Sequence, residues 1–288
     1  MLNSRARPDV PLHPSTAPFA ARPETGPADR SHPLSNLLRM EFRVLSYNIH
    51  RAIGVDRLFR PERIAGIIRY YEPDIVLLQE VDDGVPRSRG LNLARELATA
   101  LEFPHYALGK NVELRQGTYG NATLSRFPIV RERNIDLSIG PLKRRGCQHT
   151  TLEIDDPGHG SRTLEVFNLH LGLSAREREQ QTGLLVRSRE FPNLDDGPPT
   201  IVGGDFNDWR SRLRPIFTEV FCFSCATEGS LLTSLPMKTY PSFSPRGALD
   251  RFYYRDLDLL RARRCRLALS KVASDHLPIV ADFRLSRR

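Results

Sequence analysis

From Glu41 onward the chain keeps returning to short segments rich in β-branched and aromatic residues, and these outnumber the helical segments between them. That ratio constrains the fold more than any other feature. A doubly wound parallel sheet needs a helix at nearly every strand crossover, so the surplus strands must pair in runs as well. Strand patterns fall at "FRVLSYNIH", "DIVLLQEV", "HYALGK", "YGNATLS", "IVRERNIDL", "HTTLEI", "TLEVFNLHL", "PTIVGGD", "ALDRFYY" and "HLPIVADF", with turn residues between them. In the first, Phe42, Val44 and Ser46 alternate with Arg43, Leu45 and Tyr47, which predicts a strand partly covered on both faces. Helical periodicity is clearest where Ile64, Ile67, Ile68 and Tyr71 line one face ahead of Pro73. A second helix follows through Leu93, Leu97 and Leu101. A third opens with Ser174 and Glu177 at capping-box spacing and is expected to bury Leu184 and Leu185. The expected fold class is therefore α/β, with two packed mixed sheets flanked by helices in one domain over residues 41–288. No internal repeat is evident.

Residues 1–40 read differently. They are rich in Pro, Ala, Ser and Arg and lack a periodic apolar pattern, so they predict a mobile tail that cannot offset its own ordering entropy. Proline or charge interrupts every apolar run that a secretory signal would need, and Asp9, Glu24 and Asp29 argue against a transit peptide. No stretch of about 18 apolar residues exists to span a membrane. A soluble, cytoplasmic monomer is the expectation.

The formal charge is +8, of which the tail supplies +2 from five Arg against three acids. Such an excess favours anionic partners, DNA or RNA first and anionic lipid second, although a genome biased toward arginine codons gives the same excess. Four cysteines in 288 residues make no disulfide framework. Cys222 and Cys225 form an isolated C-x-x-C without a second ligand pair, so buried thiols are expected rather than zinc.

Unusual polar residues gather where strands end. Asn48 and His50 close the first strand, Glu80 closes "DIVLLQE", Asn168 and His170 lie in "FNLHL", and Asp205 and Asn207 follow "TIVGG". Asp250 stands in "ALDRF", and Asp275 with His276 precede "LPIV". Each has an ordinary explanation alone: a turn at "GGDFND", a cap at Asn48, a solvated Glu80, a core His170, a surface pair of Asp250 with Arg251. Their repetition at strand ends is the informative observation, because packed strands bring their ends to one rim. Together the residues suit phosphate ester cleavage. Glu80 with Asn48 supplies a sufficient protein share for Mg²⁺, with Mn²⁺ as a substitute. Asn207 and His170 can hydrogen-bond non-bridging oxygens, and His276 backed by Asp250 can serve as a base or as a cation facing the phosphate.

Taken in order, "LSYNIH", "VLLQEV", "YGNATLSR", "FNLHL", "GGDFND", "ALDRF" and "SDHLPI" resemble the endonuclease/exonuclease/phosphatase superfamily, the DNase I-like fold. The resemblance covers nearly everything from residue 41 to the C-terminus. It implies a four-layer α/β/β/α sandwich and divalent-metal-dependent phosphoester hydrolysis. It also implies Glu80 as the principal Mg²⁺ ligand with Asn48 beside it and Asp275 near the ion. His276 matches the catalytic histidine paired with Asp250, Asp205 the residue that orients or activates water, and Asn207 and His170 phosphate binders. "YNIHRAIG" and "NLHL" depart from the abasic-site endonucleases, which argues against abasic repair, and "NIHRAIGVD" and "TYPSFSPRGALDRFYY" look most like short bacterial members. The expected activity is a phosphodiesterase acting on nucleic acid. The alternative is a phospholipid, sphingomyelin-type or small-molecule phosphoesterase, and after it an inactive binding protein. "LKRRG" reads either as contact with a polyanion or as a solvated charge run.

Overall fold

The computed structural model describes residues 40–156, 160–191, 197–228 and 235–286. Except for Met40, the tail expected over 1–40 lies outside the described residues.

Two sheets of six strands each are formed. The first contains β1 (Glu41–Asn48), β2 (Ile75–Asp83), β3 (His105–Glu113), β4 (Thr118–Ser125), β11 (Leu257–Arg264) and β12 (Ile279–Leu285), in the order β11-β12-β1-β2-β4-β3. The second contains β5 (Ile129–Asp136), β6 (Gly146–Asp156), β7 (Gly160–His170), β8 (Thr200–Asp205), β9 (Ser224–Cys225) and β10 (Asp250–Arg255), in the order β5-β6-β7-β8-β10-β9. Both are mixed: β1/β2 and β7/β8 run parallel, and the other named pairs antiparallel. The parallel pairs are the ones joined through helices α1 (Pro61–Tyr71) and α3 (Ala175–Val186), so helices occur where a parallel crossover requires them. α2 (Leu93–Ala100) and the single turn α4 (Ser270–Ala273) complete the described α-helices. The two mixed sheets with their helices bear out the expected α/β sandwich.

Local chemistry explains the helix ends. Pro61 begins α1, where its missing N–H costs nothing, and Glu72 stops the helix in a left-handed conformation just before Pro73. Asn92 caps α2 by accepting from Arg95 N (2.9 Å), and Ser174 caps α3 by accepting from Glu177 N (3.1 Å).

Three apolar layers hold the strands. Ile64, Ile67, Leu93 and Leu97 pack on the outer face of the first sheet with Leu45, Tyr47, Val76 and Leu78. Phe42, Val44, Ile75, Leu152, Leu164, Val166, Phe252 and Phe283 fill one part of the space between the sheets. Phe167, Leu169, Leu185, Phe206 and Tyr253 cover the outer face of the second sheet.

Several expectations need correction. Leu185 is buried in α3 but Leu184 only half-buried, and most of the buried helix face is polar: Glu177, Arg178, Gln181 and Thr182. β11 was not expected, because "LDLLRARR" is an edge strand whose exposed residues need no alternation and whose pairing shifts between Leu259 and Arg261. Cys147 and Cys265 are buried thiols, whereas Cys225 is intermediate and Cys222 exposed. Among the described residues, no helix is long and apolar enough to cross a membrane.

Candidate active site

The inner faces of the strands change chemistry part-way along. On β1, Phe42 and Val44 belong to the apolar layer between the sheets, and the next inward positions are Ser46 and Asn48. β7 passes from Leu164 and Val166 to Asn168 and His170, β8 from Ile201 through Gly203 to Asp205, and β10 from Phe252 to Asp250. One end of the sandwich is therefore apolar between its sheets and the other polar.

Strand register assembles the second sheet's share of the site. His170 lies beside Asp205 in the parallel β7/β8 pair, and Asp205 lies opposite Asp250 in the antiparallel β8/β10 pair. Gly204 makes this possible: its φ is +136°, and a Cβ there would come within 2.0 Å of Leu169 O. Beyond the strand, Asn207 takes a left-handed φ of 50°, with its N–H donating to Asp205 Oδ1 at 2.9 Å. Its side-chain amide is engaged too, Nδ2 donating to Leu171 O at 2.9 Å. The glycines and the short polar residues of "GGDFND" thus bend the chain around Asp205.

The first sheet contributes through a bulge. Asn48 ends β1 in register with Gln79 of β2, and the β2/β4 ladder slips between Leu78 and Val81. Glu80 sits within that slip at φ 61°, a conformation a non-glycine residue holds only when its surroundings enforce it. Asn168, from the opposite sheet, supplies the enforcement: its Nδ2 donates to Leu78 O (3.1 Å) and Ala122 O (2.9 Å), and its Oδ1 accepts from Gln79 Nε2 (2.8 Å). Glu80 was expected to end its strand, but it stands inside β2, re-aimed by the bulge. Arg51 Nε lies 3.4 Å from Glu80 Oε2, and Tyr119 neighbours the carboxylate. Burial would raise the Glu80 carboxyl, but the charges of Arg51, His50 and Lys143 prevail and hold it below the usual range.

The loop before β12 closes the site. Ser274 Oγ donates to Asn48 O at 2.7 Å, His276 N donates to Ser274 Oγ at 3.2 Å, and Leu277 N donates to Thr239 O at 3.0 Å. His276 is thereby held with Nδ1 2.9 Å from Asp250 Oδ2 and Nε2 3.6 Å from Asp205 Oδ2. Thr239 Oγ1 donates to Asp250 Oδ2 at 2.5 Å. Asp205 Oδ2 is the hub, accepting from Asn48 Nδ2 at 3.0 Å and lying 3.6 Å from His170 Nε2. Tyr240 packs its ring against His276, and the exposed Trp209 meets Tyr240 edge-on.

Charge follows this geometry. Burial would lower the pKa of His276, but Asp250 and Asp205 outweigh it and raise the group to about 10, so it is a cation at neutral pH. Burial pushes Asp205 up to about 6, with His276 opposing the rise. His170 is pushed well below its ordinary value, first by burial and then by the positive charges of Arg145 and Lys143, and is neutral.

Of the residues anticipated from sequence, Asn48, His170, Asp205, Asp250 and His276 form one connected set, and Asn207 joins it through its backbone. Glu80 follows Gln79, the register partner of Asn48, and Asp275, half-buried, lies next to His276 with Oδ1 3.4 Å from Ser274 Oγ. Sequence reasoning missed the site contacts of Arg51, Tyr119, Lys143, Arg145 and Thr239. "YGNATLS" and "LKRRG" carried the available signal for three of them.

A hard divalent cation fits the oxygen donors beside β1 and β2. Glu80 Oε2 is buried without a hydrogen-bond partner, and the side-chain oxygens of Asn48 and Asp275 are the other hard donors of the expected metal set. Asp205, Asp250 and His276 also place ligand atoms within 4.8 Å of one another. Those atoms are already committed: Asp250 Oδ2 to Thr239 and His276, and Asp205 Oδ2 to Asn48. That commitment suits proton handling better than metal binding.

Similarity to known proteins follows the same lines. Residues 45–276 match the model of the Endonuclease/Exonuclease/phosphatase family. The uncharacterized protein YbhP of Escherichia coli K12 is 30% identical over 257 residues, covering 86% of this chain and 98% of the relative. A crystal structure of an endonuclease/exonuclease/phosphatase from Beutenbergia cavernae superposes with a TM-score of 0.68 at 23% identity, covering 86% of this chain and 72% of that one. ANGEL2, a 2′,3′-cyclic phosphatase solved with adenosine-2′,3′-vanadate, superposes with a TM-score of 0.65 at 18% identity over 86% of this chain and 97% of its own.

Proposed function

This chain belongs to the Endonuclease/Exonuclease/phosphatase family, a family of phosphoester hydrolases, and from that premise we propose that it is a Mg²⁺-dependent phosphodiesterase acting on nucleic acid. The observation that carries the reading is Asp205 Oδ2, buried at the meeting point of Asn48, His170 and His276 contributed from both sheets and the closing loop. A carboxylate whose pKa is raised to about 6 is suited to take a proton from water near neutrality. His276, kept protonated by Asp250, faces the position where negative charge builds on the phosphate. Neutral His170 can donate a hydrogen bond to a non-bridging oxygen. Glu80, Asn48 and Asp275 would hold the cation, which when bound neutralises phosphate charge and stabilises the leaving oxygen.

Nucleic acid is favoured over other phosphoesters by the net charge of +8, by the cations Arg51 and Lys143 beside Glu80, and by Arg145, whose charge reaches His170. ANGEL2, to which the chain is similar in fold, was solved with an adenosine derivative, which supports a nucleotide substrate. An activity screen over DNA, RNA, phospholipid vesicles, inositol phosphates and nucleotides, with Mg²⁺ and with Glu80→Ala as blank, tests the reading. Cleavage of DNA or RNA by wild type alone is expected. Headgroup release from vesicles with nucleic acid left intact would transfer the chemistry to the lipid class.

A further inference from the structure

Beside Glu80 lies more positive charge than the neighbouring acids balance. Tyr119 neighbours Glu80, and its ring is flanked by Lys143 Nζ at 4.8 Å and Arg87 Cζ at 5.7 Å from the centroid. Lys143 Nζ also lies 3.4 Å from the Tyr119 hydroxyl. Arg87 is gripped by both oxygens of Asp82, at 2.8 and 2.7 Å, and Arg51 faces Glu80 at 3.4 Å. Lys143 and Arg145 make no ion pair among the described residues. Arg145 is the telling one: it is only 5% exposed, and its Nε and Nη1 are buried with no hydrogen-bond partner.

The Arg145 backbone is pinned, its carbonyl accepting from Leu137 N at 2.9 Å and its N–H donating to Ser138 Oγ at 3.3 Å. The next carbonyl, Gly146 O, accepts from Asn121 Nδ2 at 3.1 Å. The guanidinium lies close enough for its charge to act on Tyr119, Lys143 and His170. A buried guanidinium without an anion is costly, and the cost is recovered when an anion enters its fork. One diester phosphate carries a single negative charge, already met by the cation proposed at Glu80 and by His276. Lys143 and Arg145 are left for a second anion.

We propose that Arg145 and Lys143 form a subsite for a second phosphate next to the scissile one, so that preferred substrates are phosphodiesters bearing two neighbouring phosphates. This rests on the phosphodiesterase reading above and narrows it. The arginine fork takes two oxygens of that phosphate, the lysine adds a point charge, and Tyr119 walls the subsite from Glu80.

Two measurements test it. In EDTA, without metal, wild-type protein is expected to bind pyrophosphate by isothermal titration, and Arg145→Gln and the exposed-site variant Lys143→Gln each to weaken that binding about 10-fold, the scale of one charge-assisted hydrogen bond. With Mg²⁺, the ratio of kcat/KM for a 5′-phosphorylated dinucleotide to that for bis(p-nitrophenyl) phosphate should fall about 10-fold in both variants, with circular dichroism confirming the fold. Equal pyrophosphate binding by all three proteins overturns the subsite. So does an equal loss on both esters, which would put Arg145 on the scissile phosphate. If wild type hydrolyses neither ester, the phosphodiesterase reading fails while pyrophosphate binding still decides the subsite.

Discussion

The two ends of the space between the sheets are built on opposite principles. At one end Phe42, Val44, Leu152, Leu164, Val166 and Phe283 meet through non-directional contact, with their neighbours interchangeable within limits of volume. At the other, hydrogen bonds cross from sheet to sheet at defined atoms: Thr123 Oγ1 to Gln148 Oε1 at 2.8 Å, Gln79 to Asn168 at 2.8 Å, Asn121 Nδ2 to Asn168 O at 3.0 Å and Asn48 to Asp205 at 3.0 Å. Apolar packing supplies stability, and the polar crossing ties Asn168 to the bulge at Glu80 and Asn48 to Asp205. The difference teaches that stability and site geometry are written on the same strands, at different levels along them.

Substitutions at each level should separate these roles. The largest effect is expected from Glu80→Ala or His276→Ala, each lowering kcat/KM on a phosphodiester roughly 10³-fold, about 4 kcal/mol of transition-state stabilisation, with the unfolding midpoint little changed. Steady-state kinetics beside urea titration reads both quantities. Next comes Leu164→Ala at the apolar end, expected to cost about 2–5 kcal/mol of stability while the protein that remains folded keeps its rate. Asn168→Ala is expected to do both: two buried carbonyls and the Gln79 amide lose partners, for about 2–4 kcal/mol, and the rate falls because the bulge under Glu80 is released. An unchanged rate in folded Asn168→Ala protein would show that the crossing hydrogen bonds do not position the site.

The smallest effect lies outside both ends. Burial would raise the Asp282 carboxyl, but hydrogen bonds from Arg43 (2.5 Å) and Arg263 (2.7 Å) prevail and hold it below its ordinary value. A depressed carboxylate stabilises the fold above its unfolded pKa of about 3.9 and loses that contribution as pH falls through the lower folded value. Solvent screening keeps it under about 1 kcal/mol. Asp282→Asn should therefore flatten the stability loss below about pH 4, read by denaturation at pH 2–5, without touching kcat.

Much of this was legible before the fold was seen. The alternation along β1 and the apolar runs of β2 and β8 marked strands, and polar residues at their ends marked the rim. The change from Val44 to Ser46 and from Val166 to Asn168 was in the letters, but its meaning depends on which residues face each other across the sheets. The bulge at Glu80 was not legible, since no glycine or proline announces it and its cause, Asn168, lies 88 positions away in the chain. Arg145 was hidden for a related reason: within "LKRRG" it looks like its exposed neighbours, and only its place at the entry to β6 buries it. β11 lacked a pattern because an edge strand so exposed needs none.

The most direct test of the central claim is anomalous diffraction from crystals soaked with Mn²⁺ and inorganic phosphate. The account predicts a manganese peak at the Glu80 carboxylate on the Asn48 side, with phosphate between it and His276. A peak instead among Asp205, Asp250 and His276, with nothing at Glu80, would contradict it.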